Sequence, residues 1–468
     1  MLTTPIEPVL AALDAGLNES LARLGELIAI KSISTDPAFD HECVRAAEWL
    51  VEDLKSIGFT ASVRPTTGQP MVVAHLAGPK DAPHILFYGH YDVQPVDPLE
   101  LWTTNPFASS VIDTTNGKVI TGRGAADDKG QLMTFVEACR AWKNVTGGLP
   151  ISVTILFEGE EESGSKSLQP FLNTNADELK ADAAFVCDTN MWDANTPSIS
   201  TGLRGMVGEE IIVSCADRDL HSGYFGGAAA NPIHILAKIL ADTHDETGRV
   251  TVPHFYDGVS ETPDDIKHMW AQLGRSDEAF LGEVGLRIPS GEQGRSVLEL
   301  TWARPTLEVN GITGGYSGPG FKTVIAAEAR AKVSFRLVGK QDPDAMRANF
   351  RAFVEARIPA DCVVEFISHG GGPAIQLDYD SPMLKTARAV LSDEWQTPAV
   401  MIGMGGSIPI VGDFKSKLGM ESLLVGFGLA DDRIHSPNEK YALKSFHKGQ
   451  RSWARLMAAF STIKALKG

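Results

Sequence analysis

The sequence predicts an α/β protein: a mostly parallel sheet sandwiched by helices, with a smaller α+β domain inserted into it. Three observations lead there. Short β-rich runs, PHILFYGH (83–90), ISVTILFEG (151–159), ADAAFVCD (181–188) and ESLLVGFG (421–428), alternate with segments of helical periodicity. These runs are almost continuously apolar, as strands covered on both faces must be. The middle of the chain differs, because MVGEEIIVSC (206–215) and AAEARAKVSFRLV (326–338) read as strands with one solvated face.

Apolar spacing predicts helices over 7–30, 40–57, 129–145, 231–244, 343–356, 381–395 and 438–465. Between the two alternating strands lies 250–320, rich in Gly, Pro and charge and weak in periodicity. The expected organisation is a discontinuous domain, 1–203 and 375–468, interrupted by an inserted domain, 204–374, with the chain returning after HGGGP (369–373). A chain of 468 residues is long enough to need two cores.

Composition narrows the function. Apolar residues at 43% and charged residues at 22% are those of a globular protein. A balance of 42 basic against 59 acidic residues argues against nucleic acid and against an anionic membrane surface, both of which need a cationic face. No run of about 18 apolar residues suggests a membrane span. Five widely spaced cysteines without a CxxC signal neither a thiolate zinc site nor a disulfide framework, and the start MLTTPIEPVLAALDAGLNES lacks the features of a secretory signal. A cytoplasmic location is expected. Neither a GxSxG elbow nor a strand–GxGxxG–helix is present.

Five polar clusters fall at the ends of predicted strands, where open α/β sheets place their ligands. In YGHYDVQP, His90 and Asp92 are two apart and share a face; such an aspartate can fix the tautomer of a metal-bound histidine. In GRGAADDKG, Asp128 suits a helix N-terminus and leaves Asp127 to point into the cleft. In FEGEEESGS, three successive glutamates repel one another unless solvent or cations neutralise them. Asp188 ends the strand in FVCDTN. His435, in RIHSPNE, precedes an expected Pro-started helix that Asn438 or Ser436 would cap. Two imidazoles and three carboxylates, His90, Asp127, Glu162, Asp188 and His435, suit zinc, manganese or cobalt. Five ligands exceed one tetrahedral zinc, whereas a shared carboxylate gives two divalent ions three ligands each and room for a bridging water.

In these motifs the chain resembles the di-zinc aminoacylase/carboxypeptidase family, most of all the branch of carnosinases and cytosolic non-specific dipeptidases. GHYDVQP, GRGAADDKG, EGEEESGS, CDTNMW, DRDLHSGYFGG, SGPGFKTVI to SFRLV, GGSIP and IHSPNE occur in family order from about residue 28 to 440. The resemblance implies that Asp127 bridges the metals, that His90 and Asp188 complete one and Glu162 and His435 the other. Glu161 becomes the general base and Asp92 the orienter of His90, with a cis peptide after Asp127. His221 is implied to reach the oxyanion from the partner of a homodimer formed through the inserted domain, Arg336 to hold the substrate's terminal carboxylate, and Thr323 and Ser407 to line the substrate. The implied reaction is hydrolysis of dipeptides or similar short peptides with a free C-terminal carboxylate. The alternative is hydrolysis of N-acyl or N-carbamoyl amino acids at the same metals. One departure from the pattern is Met404, where relatives usually carry a charged residue before GGSIP; it bears on side-chain preference.

Overall fold

The computed structural model describes residues 6–405 and 409–463. The chain divides into two compact units, one formed by Met1–Ser200, Leu377–Met401 and Asp413–Gly468, the other by Thr201–Gln376 and Ile402–Gly412.

In the first unit the four apolar runs form the centre of a sheet. Its order is Thr60–Arg64, Met71–Leu76, Ser152–Glu158, His84–His90, Ala183–Val186, Glu421–Leu424 and then the start of Ser198–Leu203. The four central strands run parallel, and the flanking ones are antiparallel. Both faces are covered. Phe87 stacks on Phe135 of helix Lys129–Thr146 at 3.8 Å and meets Trp453 of helix Leu443–Phe460 edge-on at 5.5 Å. Tyr88, one residue on and therefore on the other face, meets Phe414 at 5.9 Å. No helix among the described residues is long and apolar enough to cross a membrane.

Most predicted helices stand where the spacing put them, among them Asp40–Ile57, Lys129–Thr146, Pro343–Glu355 and Pro382–Trp395. Two differ. The segment 7–30 is two helices, Ile6–Ala15 and Leu17–Ile28, divided at Gly16. The expected helix from 438 starts only at Leu443, because Lys440–Ala442 is a strand paired with Gly117–Thr121 in a small three-stranded sheet. The buried Tyr441 side chain fixes that strand's inner face.

The second unit carries a four-stranded antiparallel sheet in the order Thr306–Gly314, Glu328–Leu337, Gly205–Ser214, Val363–Gly372. Along Glu328–Leu337, Ala329, Ala331, Val333, Phe335 and Leu337 are buried and the intervening side chains are more exposed, the alternation of a one-sided sheet. Helices Pro232–Ala241 and Pro343–Glu355 cover the apolar face, their Leu236, Ile239 and Phe350 joining its core. The weakly periodic stretch 250–320 holds three short helices, Asp264–Ala271, Asp277–Gly282 and Val297–Trp302.

Candidate metal centre

Four parallel strands end on one edge of the first unit's sheet, so the residues that follow them are carried to a common place. His90 is the last residue of His84–His90 and fully buried. Glu161 and Glu162 lie in a single 3₁₀ turn, Glu161–Ser163, just after Ser152–Glu158. Asp188 follows Ala183–Val186, and the loop after Glu421–Leu424 leads to His435. The small sheet closes the ring. Lys440–Ala442 pairs beside the loop that ends at Asp127, and the Gly122 amide donates to the Glu439 carbonyl at 3.2 Å.

All five predicted ligands come together. One oxygen of Asp127 lies 3.0 Å from His90 Nε2, and the other lies 2.9 Å from His435 Nε2. His435 Nε2 is also 3.1 Å from Glu162 Oε2. The ligand atoms of His90, Asp127 and Asp188 lie within 4.8 Å of one another, as do those of Asp127, Glu162 and His435. The carboxylate common to both triads thus turns a different oxygen toward each histidine. Its peptide bond to Asp128 is cis.

The electrostatics call for cations. Burial, followed by the neighbouring Asp127 charge, pushes Asp188 up to about 7. Asp127 is held low instead: its burial is outweighed by hydrogen bonds from His435 and His90. His435 is raised to about 10 by its bonds to Asp127 and Glu162. Nitrogen and oxygen donors in two shared triads, without a thiolate, fit a pair of divalent ions.

Asp92 touches both halves of the site. It is fully buried, with its carbonyl 3.1 Å and its Oδ1 3.4 Å from His90 Nδ1. The amides of Glu161 and Glu162 donate to its carboxylate at 3.3 and 3.0 Å, and Ser34 Oγ donates at 2.6 Å. One aspartate therefore sets the ring of a ligand and the turn bearing two glutamates. Burial, partly offset by His90, raises Glu161 above the ordinary carboxylate range.

Sequence reasoning missed Glu439. Fully buried, it accepts from the amides of Gly124, Ala126 and Asp127 at 3.0, 2.9 and 3.1 Å and from Arg123 Nη1 at 2.8 Å. It therefore moulds the loop that presents Asp127. The only signal was its place as the last residue of the IHSPNE motif. Asp128 departs from its expected role: it occupies the helix N-cap position without capping through its side chain, and its Oδ2 accepts from the His90 amide at 3.0 Å. Asn438 caps no helix; its side chain binds Thr103 and the Leu101 carbonyl. His435 takes a left-handed φ of 61°, a conformation an L-residue holds only when its surroundings impose it.

The remaining predicted residues belong to the second unit or fall outside the description. His221 is exposed, its Nδ1 accepting from the Gly223 amide at 3.0 Å and its ring 4.8 Å from that of Tyr224. Thr323 is exposed on the adjoining segment, and its carbonyl accepts from Ser222 at 3.1 Å. Arg336 is half-buried and lines a cavity of about 630 Å³ together with Arg204, Glu308 and Thr301. Burial and then the charge of Arg336 draw Arg204 down to about 10. The carboxylate of Glu292 also lines that cavity, so two guanidinium groups and two carboxylates face it. Ser407 lies outside the described residues.

Comparison with known proteins supplies the family. Residues 86–459 match the model of peptidase family M20/M25/M40. The chain belongs to that family. It is 31% identical over 466 residues to a Cys-Gly metallodipeptidase of Candida albicans, covering 95% of each chain. It is 29% identical over 474 residues to the Beta-Ala-His dipeptidase of Homo sapiens, covering 97% of this M20 member and 92% of the human protein. Among solved structures, human carnosine dipeptidase 1 aligns with a TM-score of 0.72 at 26% identity, over 98% of this chain and 99% of that one. An M20 metallo-carboxypeptidase from Sulfolobus solfataricus aligns with a TM-score of 0.75 at 28% identity, over 95% and 100%.

Proposed function

We propose that this M20 peptidase is a metal-dependent dipeptidase, cleaving the amide bond of dipeptides or similar short peptides with a free C-terminal carboxylate. The observation that carries the reading is the pair of ligand triads sharing Asp127. His90 and Asp188 would hold one ion and Glu162 and His435 the other, with zinc the first choice and manganese or cobalt alternatives. When bound, such a pair polarises the scissile carbonyl and lowers the pKa of a water. Glu161 accepts a proton from the attacking water and delivers it to the leaving amine. Asp92 orients His90 and keeps Glu161 beside the ligands. Arg336 pairs with the substrate's terminal carboxylate, Thr323 and Ser407 line the substrate, and His221, supplied by the partner of a homodimer, stabilises the oxyanion. We take 204–374 as the lid and dimerisation domain and the cytoplasm as the location.

Dipeptides are favoured over N-acyl or N-carbamoyl amino acids because the relatives named above, the Cys-Gly and Beta-Ala-His enzymes, are dipeptidases. A panel of dipeptides against acetylated and carbamoylated amino acids decides the class. In the same assay Glu161→Gln is expected to lose roughly 10²- to 10⁴-fold in kcat while metal content stays near two ions per chain. Near-normal turnover in that variant, or one ion per chain in the wild type, contradicts the mechanism.

A further inference from the structure

The second unit contains a cysteine pair that the proposed hydrolysis does not use. Strand Gly205–Ser214 lies between Glu328–Leu337 and the edge strand Val363–Gly372. The last antiparallel pair on the edge side is Ser214 with Val363, so the next register position sets Cys215 opposite Cys362. The Cys215 amide donates to the Ala327 carbonyl at 3.0 Å, away from the edge strand. In an antiparallel ladder a residue that bonds to one neighbour is in a non-hydrogen-bonded pair with the other, the closer kind, with Cα atoms about 4.5 Å apart. That separation falls within the range a disulfide spans. Side chains of such a pair share a face, and the two sulfurs come to 2.7 Å. Both are free thiols, Cys362 nearly buried and Cys215 partly exposed.

The edge strand is largely exposed, has a neighbour on one side only among the described residues, and breaks register between Ser368 and Gly371. We propose that Cys215 and Cys362 are a reversible oxidation site, whose disulfide staples the edge strand Val363–Gly372 to Gly205–Ser214. The oxidant is a hydroperoxide. The more exposed Cys215 sulfur attacks a peroxide oxygen, the O–O bond breaks, and a sulfenic acid and water form when the oxidant is hydrogen peroxide. The Cys362 sulfur then attacks the Cys215 sulfur and expels hydroxide, which leaves as water with the thiol proton; two electrons pass from the sulfur pair to the peroxide. Burial pushes the Cys215 thiol up. The thiolate is therefore scarce at neutral pH and oxidation is slow, quickening in alkali. Sequence spacing gave no hint of the pair, because the two positions are 147 residues apart.

The test treats the full-length protein with hydrogen peroxide at mildly alkaline pH, quenches it, then denatures and alkylates it with N-ethylmaleimide. The five alkylated cysteines of the reduced chain should fall to three. A Cys215–Cys362 cross-linked peptide should appear in the digest and vanish after dithiothreitol. Hydrogen exchange should slow over 363–372 in the oxidised protein, and Cys362→Ser should show neither change. Five alkylated cysteines after oxidation, or thiol loss without that cross-linked peptide, would overturn the proposal; since mapping uses the wild type, a poorly folding variant does not rescue it.

Discussion

Two buried carboxylates show how the environment of one residue shapes the neighbourhood of the centre. Glu439 balances Arg123 and three amides, so its removal strands a buried guanidinium and unties the Asp127 loop. Glu439→Ala is expected to cost about 3–5 kcal/mol in urea unfolding, the usual penalty for breaking a buried pair. Asp432 is fully buried and accepts from Leu429 N and Lys440 Nζ; its burial still raises it to about 6 from an ordinary 3.8. The folded protein therefore binds a proton at Asp432 more tightly than the unfolded chain does. Its favourable contribution is present below about pH 4 and is lost as pH rises through 6. Asp432→Asn removes this titration, so the variant's stability relative to wild type should increase between pH 4 and 6 and then level off. A constant difference across that interval refutes the assignment.

At the scale of elements, close approach decides which glycines matter. Gly130, in the first turn of Lys129–Thr146, leaves no room: a Cβ would stand 1.9 Å from the Ala125 carbonyl oxygen and 2.9 Å from Tyr441. Gly130→Ala must shift the backbone beside Asp127, with an expected loss of about 1–3 kcal/mol or more and fewer bound ions. Gly25, inside Leu17–Ile28, meets nothing within 4 Å. Gly25→Ala should add about 0.5–1 kcal/mol of helix stability, so thermal melting of the pair should move in opposite directions. The same scale explains which elements were legible. The parallel core strands announce themselves by unbroken apolar runs. Thr60–Arg64, Ser110–Thr114 and Lys440–Ala442 are short or exposed, and their pairing partners, absent from any local window, decide them. The expected helix from 438 failed for that reason.

For the whole molecule, metal binding at this centre would be linked to folding. The centre gathers carboxylates from residues 127, 162 and 188, and bound cations remove a repulsion that unfolding would otherwise relieve. Chelation should lower the melting temperature, and zinc, manganese or cobalt should restore it; an ion at a thousand times its Kd adds about 4 kcal/mol. A melting temperature indifferent to chelator and metal would show that the triads hold no ion in solution.

By itself the sequence determined the α/β class, most helices and the five ligand candidates, because periodicity and motif chemistry are local and each strand carries its donor at its own end. Only the tertiary structure decided that the two oxygens of Asp127 face different histidines, that Glu439 moulds the loop presenting it, and that Asp92 ties His90 to the glutamate turn. These depend on contacts between residues up to 316 positions apart, which strand pairing creates and no local pattern encodes.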